Sequence, residues 1–160
     1  MTNAARALFA TAAVTVVAAS LFVAPVAAAT TYQLAGIETA ATSSTGTFEG
    51  VLLNQPGTWQ ATIVHSDLNK TPGGTTAILG GSFALAPFGA PPTGGTITGQ
   101  LVAGAASGLL FCTQQFFASG SVLSPNGPGT FRGTLTHYGR RSGGVCNAFF
   151  ATFVGSVSLP

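Results

Sequence analysis

Apolar and polar side chains alternate along most of the chain beyond residue 30. Gly46-Thr47-Phe48-Glu49-Gly50-Val51-Leu52 is echoed by Gly57-Thr58-Trp59-Gln60-Ala61-Thr62-Ile63, by Gly95-Thr96-Ile97-Thr98-Gly99-Gln100-Leu101 and by Gly129-Thr130-Phe131-Arg132-Gly133-Thr134-Leu135. The period of two is that of a β-strand, not of a helix. One face of each segment carries a large apolar residue, a small one and a second large one. The other carries Thr and then Glu, Gln, Thr or Arg. The first face predicts a core and the second a surface that meets water. The repeats are offset by 11, 38 and 34 residues, too irregular for a solenoid. They read instead as recurrent strand chemistry within one sheet. Gly50, Gly99 and Gly133 fall on the inner face beside large side chains, where a tightly coiled sheet uses glycine to bend.

Breaks at Gly and Pro clusters divide the chain into eight expected strands: 32–38, 46–54, 57–65, 75–86, 95–103, 108–123, 129–138 and 144–159. Pro56-Gly57 predicts a tight hairpin, and residues 40–45 a flexible polar link. Residues beyond 29 hold no ten-residue stretch of good helical periodicity, so the expected fold is all-β. Eight antiparallel strands give a barrel or a sandwich, and the recurring inward glycines favour a small closed barrel over residues 30–160. An outer-membrane barrel would place its apolar face toward lipid and its polar face inside. Here Phe48, Trp59, Ile97 and Phe131 share the face with the small residues, which argues for an apolar interior and against a membrane-embedded barrel.

Residues 1–29 read as an address. Arg6 supplies a basic start, Leu8 to Val23 carry no charge, and Pro25 precedes the small residues Val26-Ala27-Ala28-Ala29. That order is the one a secretory signal peptide shows, with cleavage expected after Ala29 and a secreted product. Beyond it, four cations (Lys70, Arg132, Arg140, Arg141) face three acids (Glu38, Glu49, Asp67). With 46% apolar and 5% charged residues, the composition excludes a disordered tail and a coiled coil. Five Lys and Arg in all cannot form the basic face that nucleic acid requires. Export would place Cys112 and Cys146 where disulfides persist, and the pair predicts one bridge.

The scarce ionisable residues can be followed one at a time. His65 shares parity with Trp59, Ala61 and Ile63, and His137 with Phe131, Gly133 and Leu135. Both point inward near the ends of strands that run the same way in an up-and-down barrel, so they belong at one mouth. The following segments add Asp67 and Lys70 after the third strand, and Arg140 and Arg141 after the seventh. His65, Asp67, His137, Arg140 and Arg141 therefore make a candidate ligand-binding mouth. If the protein is an enzyme, His65 or His137 is the candidate base, working without a cofactor. The spacing carries no metal signature, and no paired carboxylates, nucleophile elbow or glycine-rich helix start is present. Glu49 and Arg132 occupy the same outward position of the motif and are expected to pair across strands. Phe116-Phe117 and Phe149-Phe150 are adjacent pairs, so at least one ring of each should lie outside the barrel or beneath a loop.

Gly129-Thr130-Phe131-Arg132-Gly133-Thr134-Leu135 and the other Gly-Thr strands resemble those of secreted eight-stranded barrels of the dirigent and allene oxide cyclase-like type. The resemblance implies a barrel that holds a small hydrophobic compound without a redox cofactor, and it carries over no functional residue. The expected function is a secreted, non-enzymatic barrel that binds a small apolar molecule or acts at the cell surface. The alternative is a cofactor-independent isomerase or cyclase using a histidine at the mouth.

Overall fold

A computed structural model describes residues 28–160, so the expected signal peptide lies, apart from its last two residues, outside the described residues. Eight strands follow one another: β1 (Thr30–Ala41), β2 (Thr45–Leu52), β3 (Gly57–His65), β4 (Thr75–Pro87), β5 (Thr93–Ser107), β6 (Phe111–Ser124), β7 (Gly127–Ser142) and β8 (Val145–Leu159). Each pairs antiparallel with its neighbour in sequence, and β8 closes on β1 through a register running from Thr30↔Leu159 to Ile37↔Thr152. The result is a closed all-β barrel with no free sheet edge. Among the described residues no helix is long and apolar enough to cross a membrane.

The interior follows from the alternation. Leu34, Phe48, Trp59, Phe83, Ile97, Leu101, Phe116, Phe131 and Leu135 are all buried inside the ring. The outer wall carries mostly Thr, Ser, Gln and Ala, with Ile37, Val51 and Val154 exposed among them. Aromatic rings lie across the inward glycines. A Cβ on Gly36 would sit 2.6 Å from Trp59 Cζ2, one on Gly120 2.6 Å from Phe131 Cε1, and one on Gly133 2.5 Å from Phe153 Cζ. Cross-strand pairing brings these partners together, as in Gly50↔Trp59 and Gly120↔Phe131. Covering a glycine with a neighbouring ring recovers apolar contact that the missing side chain would have given. Trp59 also donates its Nε1–H to the Ala35 carbonyl at 3.0 Å.

The disulfide between Cys112 and Cys146 is present, with Cα atoms 5.8 Å apart. It joins the start of β6 to the start of β8 across β7. Several expectations need correction. Residues 40–45 are no flexible link: Ala40 and Ala41 end β1, Thr45 opens β2, and a Thr42 N–H bond to Thr45 O at 2.8 Å closes the turn. Glu49 pairs with Ile37 and Gln60, whereas Arg132 pairs with Ser119 and Ser156, so these two charges stand on non-adjacent strands and form no cross-strand pair. Register shifts interrupt β4 between Ile78 and Ser82, β5 between Ala103 and Ala106, and the β7–β8 ladder between Tyr138 and Gly139.

Candidate functional site

Odd strands end and even strands begin at one end of the barrel, which gathers the turns at 42–44, 66–74, 108–110 and 143–144 there. Side-chain size decides what happens inside. Leu52, Leu85, Val122, Val157 and Leu159 fill the far end. Toward the mouth, inward positions hold Gly46, Ala61, Ala118, Ala148 and Ala151, too small to meet across the ring. A cavity of about 550 Å³ results, reaching from Leu34, Leu85 and Val157 up to Thr39, Ser43, Phe149 and Phe150 at the rim. That volume lies in the range of small-molecule sites, roughly 300–1,000 Å³. Trp59, Phe83, Phe131 and Phe153 give it aromatic walls.

The segment 66–74 folds over part of the mouth and is held from three sides. Gln114, buried on β6, donates from Nε2 to the Lys70 carbonyl at 2.6 Å and to the Gly104 carbonyl at 3.1 Å. Lys70 Nζ donates to the Cys146 carbonyl at 3.2 Å. The Gly73 N–H bonds to Ala103 O at 2.7 Å, and the Ala103 N–H to Gly74 O at 2.8 Å. Leu68 packs down against the core. The cavity mouth is therefore bounded by this segment, the β1–β2 turn and the Ala148–Phe150 stretch of β8.

Polar groups line only this upper region. Glu38, His65, Asp67, Lys70 and His137 all border the cavity. His137 lies beside the Phe116 ring at a centroid distance of 4.9 Å, and its Nε2 is buried without a partner among the described residues. Burial, then the charges of Lys70 and His65, lower its pKa to about 4. The imidazole is thus neutral at physiological pH. Burial raises the Glu38 pKa above its ordinary value, with nearby His65 opposing the shift. His65 Nδ1 lies 2.7 Å from the Ser66 carbonyl.

No protein family, curated protein or solved structure matches the chain. The site must be read from its own chemistry. Among the described residues, no group of three His, Cys, Asp or Glu converges as metal ligands.

His65, Asp67 and His137 border the same cavity, but Arg140 and Arg141 do not. The reason is the length of β7, which continues to Ser142 and so keeps both arginines within the strand's alternation. Arg140 turns outward and is exposed. Arg141 spends its guanidinium on the Ala106 carbonyl, with Nη2 at 3.0 Å. Glu38, left without a role by the sequence, joins the site instead. Its signal was available: it shares inward parity with Leu34 and Gly36 on β1. Phe116 is buried and Phe117 half-exposed, as adjacency demands. Phe149 and Phe150 are both exposed, because the register shift opposite Tyr138 and Gly139 leaves Phe149 unpaired on the ladder.

Proposed function

We propose that this barrel is a binding protein for a small, largely apolar molecule that enters at the mouth and places one polar group among Glu38, His65, Lys70 and His137. The observation that carries this reading is the cavity of about 550 Å³, apolar in its depth and polar only at its rim. Binding sites commonly combine an apolar lining with a few polar groups that fix orientation. The resemblance to dirigent and allene oxide cyclase-like barrels points the same way. Action outside the cell is part of the proposal, supported by the disulfide, which persists in oxidising compartments, and by the secretory pattern of residues 1–29.

Trp59 is the single tryptophan of the chain and lines the cavity, so its fluorescence is a direct reporter. Titration with an apolar probe such as N-phenyl-1-naphthylamine should change Trp59 emission saturably. Ala151→Phe, which adds a ring on the cavity wall, should abolish that change while the protein still melts cooperatively. Saturable binding that survives Ala151→Phe undiminished would place the probe elsewhere and sink the proposal.

One observation favours a second reading, in which the barrel transforms its ligand by acid–base chemistry. His137 is held in its neutral, base form beside the cavity, and Glu38 retains its proton to higher pH than an exposed carboxyl. Under that reading His65→Gln or His137→Gln would remove turnover of the bound molecule while leaving its affinity nearly intact.

A further inference from the structure

We propose that the mouth end of the barrel docks on the surface of an anionic lipid bilayer, with the tip of the β5–β6 hairpin as the element that enters the interface. Leu109, Leu110 and Phe111 are consecutive at that tip and are 91%, 72% and 72% exposed. Single exposed apolar residues are ordinary, but a run of three on one turn is not expected without a purpose. The tip is also braced. Gly108 turns the chain with φ +92°, the Arg141 N–H donates to the Leu110 carbonyl at 3.0 Å, and the Arg141 guanidinium holds the Ala106 carbonyl. The next residue, Cys112, is tied by the disulfide to β8. These bonds hold the backbone of the tip with its side chains turned outward, so little further ordering is needed to present them. Phe149 stands beside Phe111 across a shallow surface hollow and is 71% exposed.

Charge selects the kind of surface. Three of the four cations in the described chain, Lys70, Arg140 and Arg141, lie at this end. The same end carries two acids, Asp67 in a turn and Glu38 near the end of β1, so three cations stand against two acids there. The turns at the opposite end (53–56, 88–92 and 125–126) contain no ionisable residue. Apolar groups flanked by cations suit an interface of anionic headgroups over acyl chains. A protein partner fits less well. Four side chains offer on the order of a few hundred Å² of apolar surface, short of the roughly 800 Å² per partner that stable complexes bury. A narrow, protruding tip suits insertion by roughly 5–10 Å into a headgroup layer. This inference does not depend on what occupies the cavity, although docking would set the cavity mouth against the lipid.

The test is sedimentation with vesicles, using protein in the form that its own host makes. With about 30% phosphatidylglycerol in phosphatidylcholine, the protein should pellet with the vesicles, and pure phosphatidylcholine should retain it less well. L109S/L110S should weaken partitioning by about tenfold or more, because the apolar area entering the interface is lost. Both leucines are exposed, so this variant should melt close to the parent. Phe88→Ser alters an equally exposed residue at the opposite end (87% exposed) and should leave partitioning unchanged. Parent protein that stays in the supernatant would overturn the proposal. Equal loss in Phe88→Ser would overturn it too, by showing unspecific adhesion. So would self-association that L109S/L110S abolishes without any vesicle binding, which would make the partner a second copy of this chain.

Discussion

A Cβ added at Gly50 would meet the Ala35 carbonyl, the Gly36 Cα at 2.5 Å and Trp59 Nε1 at 2.7 Å. Two of these are backbone atoms of a neighbouring strand, which cannot yield without opening the ladder. Gly50→Ala should therefore cost roughly 1–3 kcal/mol, the usual penalty of overpacking, measured by urea unfolding. Gly80→Ala is the contrast, since nothing lies within 4 Å of its Cβ position. It should stay within about 0.5 kcal/mol of the parent. His137 sets a pH dependence at the same scale. Its pKa falls from an ordinary 6.5 to about 4 on folding. Between those values the unfolded chain binds more protons than the folded one, so stability rises with pH there. The contribution is complete above about pH 6.5 and is lost as pH falls toward 4, an effect on the order of 2–3 kcal/mol. His137→Gln should flatten the stability curve across that window. An unchanged slope would mean that other groups carry the acid sensitivity.

Among elements, the segment 66–74 is the longest turn of the barrel, and a buried side chain of β6 holds it. Gln114 bonds two carbonyls, those of Lys70 and Gly104, from a single nitrogen. Gln114→Ala leaves both without that donor and should cost about 1–3 kcal/mol. Amide exchange at Gly73 and Ala103, whose bonds tie the segment to β5, should quicken more than exchange in β7. Uniform quickening would instead indicate global destabilisation. None of this bracing could be read from the sequence, because Gln114 gains its partners only when β6 and the segment 66–74 meet. The strands were legible where alternation is strict: β3 spans Gly57–His65, the limits the pattern gives. Alternation also put His65 and His137 at one cavity. It does not reach Arg140 and Arg141, because the pattern ends that strand at 138 and leaves both residues to a loop, whereas β7 runs on to Ser142. Register shifts near Gly80 and Phe149 escaped for a related reason: an extra residue in one strand is defined by its neighbour, and a single strand's pattern does not contain it.

For the molecule as a whole, closure and hollowness arise from one choice, the placement of small residues on the inner face. At Gly36, Gly50, Gly120 and Gly133 they let strands coil and rings lie across the sheet. At Ala61, Ala118 and Ala151 they leave the upper barrel unfilled. A hollow barrel gives up apolar contacts that a solid one would have, and a cross-link can offset that loss. Cys112–Cys146 spans 34 positions of sequence and joins β6 to β8 at the hollow end. Chain-entropy reasoning values such a loop at roughly 4 kcal/mol. Replacing both cysteines by Ala should accordingly lower the melting temperature by roughly 10 °C or more, as a single transition. The barrel should still close, because every strand keeps both its ladders. The loss should be felt most at the mouth, since Lys70 ties the segment 66–74 to the Cys146 carbonyl. Exchange at 66–74 should then rise in the cysteine-free variant even well below its melting point. A melting temperature unmoved by the double replacement would mean that the eight ladders alone hold the hollow end together.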